Sequence, residues 1–169
     1  DLSPFLRDAM RRRPDILLNL IDQSVEHRLT AILADIGLAA QTAGSESELM
    51  RSLRLLKGEA HALLALMELA GRASAASTVV QLSKLADACI AAAIDFLLVE
   101  THDKGKIKLP DRAAPGRGSG LVVLGMGKLG AYELNFSSDI DLILFVDVEA
   151  PAILDPLDAT DLFSRLARR

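Results

Sequence analysis

Residues 120–146, GLVVLGMGKLGAYELNFSSDIDLILFV, constrain this chain more tightly than any other stretch of it. The apolar run Leu121–Leu124 opens into a glycine-rich turn, Gly125-Met-Gly-Lys-Leu-Gly130. Eight residues later Ser138-Asp-Ile-Asp141 feeds a second apolar run, Leu142–Val146. Both runs are short, rich in Leu and β-branched residues, and bounded by turn signals, so they predict two buried strands. Asp139 and Asp141 are two apart at the leading edge of the second run. Period-two alternation places their carboxylates on one face, with Ile140 and Leu142 on the other. Two carboxylates that close repel each other unless a cation sits between them, and hard divalent ions prefer such oxygen donors.

Three chemistries compete for this pattern. Gly125, Gly127 and Gly130 spell the GxGxxG of a dinucleotide site, which requires a full crossover helix before the next strand. Only Ala131–Ser138 is available, too short for a crossover. A phosphate loop of the GxxxxGK[ST] kind fails because Leu129 follows Lys128, removing the metal-binding hydroxyl. The third chemistry is that of a nucleotidyltransferase: strand, glycine turn, then Asp-x-Asp on the next strand. There Gly127 and Gly130 let backbone N–H groups approach phosphate oxygens, and Lys128 adds a point charge for the same group. Asp139 and Asp141 hold a metal, Mg²⁺ or Mn²⁺, against the transferred phosphorus. A plain strand–turn–strand with surface aspartates is the competing structural explanation.

Gly125–Gly130, Glu133-Leu-Asn135 and Ser137-Ser-Asp-Ile-Asp-Leu-Ile143 resemble the bifunctional glutamine synthetase adenylyltransferase/adenylyl-removing enzymes. That family carries two nucleotidyltransferase-like halves, and the wording here is closer to the N-terminal, adenylyl-removing half. Ala131 departs from the family, which usually has another glycine there. The resemblance implies a polymerase-beta-like domain and removal of AMP from glutamine synthetase by phosphorolysis. The same chemistry run forwards, adenylylation from ATP, and a non-catalytic nucleotide-binding module are the alternatives. It also implies glutamine synthetase, the nitrogen-regulatory PII signal protein and a nucleotide or phosphate as partners. Ser137 or Ser138 is a further candidate phosphate donor, with turn capping as its other role.

The remaining chain reads as helix. Alanine and leucine dominate a composition that is 50% apolar and 4% aromatic. Arg11-Arg-Arg13 reads as the solvated end of a first helix before Pro14. One or two short amphipathic helices are expected from Asp15 to about Ile36, ending at Gly37. Ser45-Glu-Ser-Glu48 is a capping box opening a long helix whose stripe Leu49, Leu53, Leu56, Ala60, Leu63, Met67 stops at Gly71. A second long helix, Ser74 to Thr101, carries Leu82, Leu85, Cys89, Ala92, Phe96 and Val99. The two should pack antiparallel as a bundle. The expected organisation is therefore mainly α with a partial α/β unit: a bundle over 1–102, a linker over 103–119, and an incomplete nucleotidyltransferase-like part over 120–169. Lys104, Lys106 and Lys108 in the linker are candidates for reaching phosphate, against a solvated role.

Charge excludes some functions. Residues 1–118 balance 15 Lys+Arg against 15 Asp+Glu, while residues 119–169 hold 4 against 8, which gives the net −4. An acidic site region argues against a nucleic-acid groove. No apolar run reaches membrane-spanning length, no signal peptide is visible, and the single Cys89 forms no internal disulfide, which fits a cytoplasmic protein without membrane contact. His27, His61 and His102 lack metal-ligand spacing and read as structural or solvated.

A third metal carboxylate is missing from the pattern. Asp147 has the right parity but lies about 20 Å along an extended strand from Asp141. Asp155, Asp158 and Asp161 read as turn and helix N-terminal charges. With Asp1 first and a two-strand sheet last, the chain is expected to be a fragment, with the third ligand beyond residue 169.

Overall fold

The computed structural model describes residues 3–16, 18 and 24–169. Its elements are α1 (Pro4–Arg12), α2 (Val25–Thr42), α3 (Glu46–Leu69), α4 (Ala75–Asp103), β1 (Leu121–Gly125), the single turn α5 (Gly127–Gly130), β2 (Leu142–Val146) and α6 (Pro156–Leu166). The chain is mainly helical with one two-stranded antiparallel sheet, in line with the coarse expectation. It divides into two compact units: Asp1–Cys89 with Tyr132–Ser138, and Ile90–Ala131 with Asp139–Arg169.

In the first unit α1, α2 and α3 each start on a serine. Ser3, Ser24 and Ser45 accept from the N–H groups of Leu6, His27 and Glu48, satisfying donors that have no intrahelical partner. The return half of the capping box lands one residue early, with Glu48 Oε2 accepting from Gly44 N–H at 2.9 Å. α3 ends where expected, with Gly71 at φ +65 and the Arg72 N–H bonded to the Met67 carbonyl. Helix α2 packs on α3, and Ile32, Ile36, Leu49, Ala60 and Leu63 are buried.

Two expectations for this unit need correction. Gly37 does not end a helix: α2 continues through it to Thr42. A mid-helix glycine costs about 1 kcal/mol, which the flanking alanines and leucines and the α2–α3 contact outweigh. The start of that expected helix falls partly on residues 17 and 19–23, outside the described residues. Arg13 is not solvated like its neighbours Arg11 and Arg12. It donates to Asp15 and, 46 positions away, to Glu59 Oε2 at 3.3 Å. Glu59 is 3% exposed and also accepts from Arg28 Nε at 2.6 Å. One buried carboxylate thus ties three segments of the bundle together.

His61 in α3 stands half-buried, edge-on to Phe136 with ring centroids 5.8 Å apart. Burial, reinforced by the nearby Lys57 charge, pushes its pKa down to about 4. The unfolded chain therefore binds a proton between pH 6.5 and 4 that the folded chain refuses, so stability is full above 6.5 and falls as pH drops through that window. Urea midpoints measured from pH 7 to 4 should decline in the native chain and flatten over this interval in His61→Phe.

The second unit is built on the C-terminal half of α4. Leu97, Leu98, Ile107, Leu109, Leu121, Ala152, Phe163 and Leu166 form its core. Residues 103–119 contribute to it directly: Ile107 and Leu109 are buried, and Ile107 bridges Ile153. His102 Nδ1 accepts from the Leu109 N–H at 3.3 Å. The lysines between them are exposed, and Lys104 pairs with Glu100 at 2.9 Å.

Strands β1 and β2 pair in register Leu121↔Val146 to Gly125↔Leu142. They are not buried on both faces, as the sequence predicted. Leu121, Val123, Leu144 and Val146 belong to the core or pack against it, whereas Val122, Leu124, Ile143 and Phe145 are 41–53% exposed. Directly opposed residues share a face, so this second set forms one apolar outer surface. Gly120 enters β1 at φ +86, and a Cβ there would meet the Asp147 carbonyl at 2.6 Å. Asp155 caps α6 through the Leu157 N–H at 2.9 Å, and Asp158 lies in its first turn, the roles expected of them.

Candidate functional site

The hairpin of the second unit brings the glycine turn beside the acidic segment. The Met126 N–H donates to the Asp141 carbonyl at 2.8 Å, extending the ladder one pair past Gly125↔Leu142. The strand itself begins only at Leu142, so Asp139 and Asp141 precede it rather than sitting on it. Both are exposed, and so is Ile140, at 45%. A Cβ on Gly127 would stand 3.9 Å from Asp141 Oδ2, which shows that this carboxylate oxygen faces the turn.

The three glycines do different work. Gly127 sits at φ +52, a conformation that side chains disfavour. Gly125 is closed against Leu129, whose Cγ lies 2.9 Å from a would-be Cβ. Gly130 packs on the Gly125 carbonyl so tightly that a Cβ would overlap it, and its N–H is consumed by the Met126 carbonyl. Gly125 and Gly130 therefore shape the turn. The N–H groups of Gly127 and Lys128 stand at the head of a single helical turn, where backbone donors have no intrahelical acceptor, and Met126 provides no side-chain cap. Lys128 is exposed; Leu129 is its buried neighbour and anchors the turn.

Ser137 and Ser138 belong to the first unit. Asn135 organises them: its Oδ1 accepts from Ser137 N–H at 2.9 Å and its carbonyl from Ser138 N–H at 3.2 Å. Ser138 Oγ returns the bond by accepting from Asn135 N–H at 3.1 Å, a turn-capping role. Ser137 is exposed and lines a cleft of about 470 Å³ with Phe136 and His61.

Asp147 follows the end of β2. Its N–H bonds to the Gly120 carbonyl and its carboxylate caps Glu149, so it serves the turn after the strand. Among the described residues no three His, Cys, Asp or Glu side chains converge on a point that could hold an ion, and no helix is long and apolar enough to cross a membrane. Sequence reasoning missed Tyr132, whose hydroxyl donates to Asp87 Oδ2 at 2.5 Å across 45 positions. No local signal announces that pair.

The fold and site define a helix-rich chain in which an antiparallel hairpin presents a glycine turn with the Asp141 carboxylate facing it. The sequence model of the family described as glutamate-ammonia ligase adenylyltransferase matches residues 1–169, and the chain belongs to that family. A bifunctional glutamine synthetase adenylyltransferase/adenylyl-removing enzyme of Mesorhizobium japonicum is 62% identical over 171 residues, covering 100% of this chain and 17% of that protein. Those of Brucella suis and Agrobacterium fabrum, named alike, are 52% and 45% identical over 170 and 172 residues. This chain spans about 17% of the length of these relatives.

Proposed function

We propose that this chain is part of the adenylyl-removing centre of an enzyme that takes AMP off adenylylated glutamine synthetase by phosphorolysis. The observation that carries the reading is Asp141 Oδ2 facing the positive-φ glycine of the turn, which puts a carboxylate oxygen beside the backbone that would meet a phosphate. On this reading residues 1–102 serve as a helical bundle, 103–119 as the connection, and 120–169 as the opening part of a nucleotidyltransferase-like domain. The protein acts in the cytoplasm, with glutamine synthetase as substrate and the PII signal protein as regulator.

Orthophosphate attacks the α-phosphorus of adenylyl-tyrosine, the bond from phosphorus to the tyrosine oxygen breaks, and ADP leaves with the phenol reprotonated. Lys128 and the N–H groups of Gly127 and Lys128 hold phosphate oxygens, and charge–dipole contacts that strengthen as the transition state forms lower the barrier. Asp139 and Asp141 are hard oxygen donors that fit Mg²⁺ or Mn²⁺; such an ion supplies positive charge against the phosphate oxygens. In-line transfer depends on geometry as much as on affinity, so residues 1–169 alone are expected to bind these ions weakly and to release no ADP from adenylylated glutamine synthetase.

Lys128→Ala tests the phosphate role. The side chain is exposed, so the melting temperature should stay within a degree or two. In the full-length enzyme the KM for orthophosphate should rise about tenfold, the worth of one charge-assisted contact. An unchanged KM would make Lys128 a surface residue.

A further inference from the structure

The first unit carries a cleft of about 470 Å³, a volume usual for small-ligand sites, and all of its lining residues belong to that unit. Helix α1 contributes Phe5, α3 contributes His61, Glu68 and Leu69, and Phe136 with Ser137 forms the third wall. These walls are held by contacts that need no ligand. Leu6 of α1 and Leu63 and Leu64 of α3 are buried. The third wall hangs on Leu134, whose N–H donates at 3.2 Å to Oγ of the fully buried Ser83. The Asn135 side chain then closes the turn by accepting from the Ser137 N–H at 2.9 Å. Such preorganisation removes much of the ordering cost of binding.

The lining decides what class of molecule fits. Phe5, Leu69 and Phe136 are 50%, 69% and 39% exposed, three large apolar side chains left around one opening. Among them stands Glu68, half-buried, whose carboxylate has no hydrogen-bond or ion-pair partner among the described residues. No Lys or Arg lines the cleft. His61 carries no charge at pH 7, because burial holds its pKa down at about 4. An anion therefore meets an unpaired carboxylate and no positive group. A wholly apolar ligand would cover that carboxylate without replacing its water, which is costly. A cation avoids both penalties: it pairs with Glu68 in a partly dehydrated setting, and phenyl faces attract it. The Ser137 hydroxyl is exposed to the cleft and can accept an N–H from the same group.

We propose that this cleft binds a small organic cation, a guanidinium or primary ammonium carried on a short apolar stem. Glu68 is its counter-ion, Phe5 and Phe136 supply aromatic surface, and Leu69 covers the stem. The site lies wholly in the first unit and does not depend on the phosphorolysis reading. A ligand that touches α1, α3 and the 136–137 wall together binds only the folded unit, so it raises the melting temperature.

Calorimetric titration of the 169-residue chain with n-butylguanidinium and with phenethylammonium tests this. Each should bind at a single site with a dissociation constant below about 1 mM and raise the melting temperature as it saturates. Phenethyl alcohol and phenylacetate, neutral and anionic relatives of the second probe, should bind at least about tenfold more weakly. Glu68→Gln should lose about tenfold in affinity for both cations. Its own melting temperature should stay put, because the carboxylate has no partner to lose. Phe136→Leu keeps apolar bulk without the ring and should cost about threefold. Backbone NMR shifts on saturation should concentrate in residues 3–6, 61–69 and 136–137. A blocked tripeptide with a central arginine should bind no tighter than n-butylguanidinium. Binding more than about tenfold tighter would assign the cleft to a protein side chain and overturn the small-molecule assignment. Equal binding of phenylacetate, full affinity in Glu68→Gln, or no saturation by either cation at about 10 mM overturns the proposal.

Discussion

Asp139→Asn and Asp141→Asn, each made in the full-length enzyme, should lower ADP release from adenylylated glutamine synthetase by more than about a hundredfold. Even residues that only support a metal ligand cost about ten- to a hundredfold when replaced, and these two carboxylates are the proposed ligands themselves. Folding should hardly change. Both side chains are exposed, and replacing an exposed carboxylate by its amide removes no buried contact. Asp141→Asn should be the more severe, because its Oδ2 is the oxygen that faces Gly127. Near-native turnover in either variant would remove that residue from the site.

The largest expected stability loss is far from the hairpin. Glu59→Ala should destabilise the chain by about 3 kcal/mol. Glu59 accepts from Arg28 Nε at 2.6 Å and from Arg13 at 3.3 Å while 3% exposed, so truncation removes their one buried acceptor, leaves them only the more exposed Asp35 and Asp15, and opens a gap under them. The arginine side chains are 18% and 31% exposed, so water recovers part of the cost. Arg11→Ala, at an exposed position in the last turn of α1, should change stability by less than about 0.5 kcal/mol. Urea midpoints compared among the three proteins decide the matter, and equal midpoints would mean that Glu59 is no keystone.

How much of this was legible in sequence follows from the range of each interaction. The serine caps and the Gly71 stop act within four residues, so Ser45 and the stripe from Leu49 to Met67 could be read directly. The hairpin was legible as two apolar runs separated by a glycine turn and an acidic pair. Its exposed face was not, because Val122, Leu124, Ile143 and Phe145 are as apolar as the residues between them, and alternation vanishes when both faces are hydrophobic. Gly37 misled because propensity is a weak prior that packing overrides. Residues 103–119 looked like a linker from their glycines and prolines, yet Lys106-Ile-Lys-Leu109 carries a period-two alternation that announces Ile107 and Leu109 as buried. The Glu59–Arg13 and Tyr132–Asp87 pairs span 46 and 45 positions, beyond any local pattern. In the candidate site, residue types and order were readable. What the sequence withheld was the division of labour: Gly125 and Gly130 shape the turn, Ser138 caps, and Asp139 and Asp141 lie before the strand.

The central claim is that the transferred AMP is accepted by orthophosphate. Adenylylated glutamine synthetase incubated with the full-length enzyme, Mg²⁺ and orthophosphate labelled at phosphorus tests it directly. The account predicts labelled ADP with the label confined to the β-phosphorus, formed in proportion to tyrosine released and absent with Asp141→Asn. Release of unlabelled AMP, or labelled ADP formed equally well by Asp141→Asn, would contradict it.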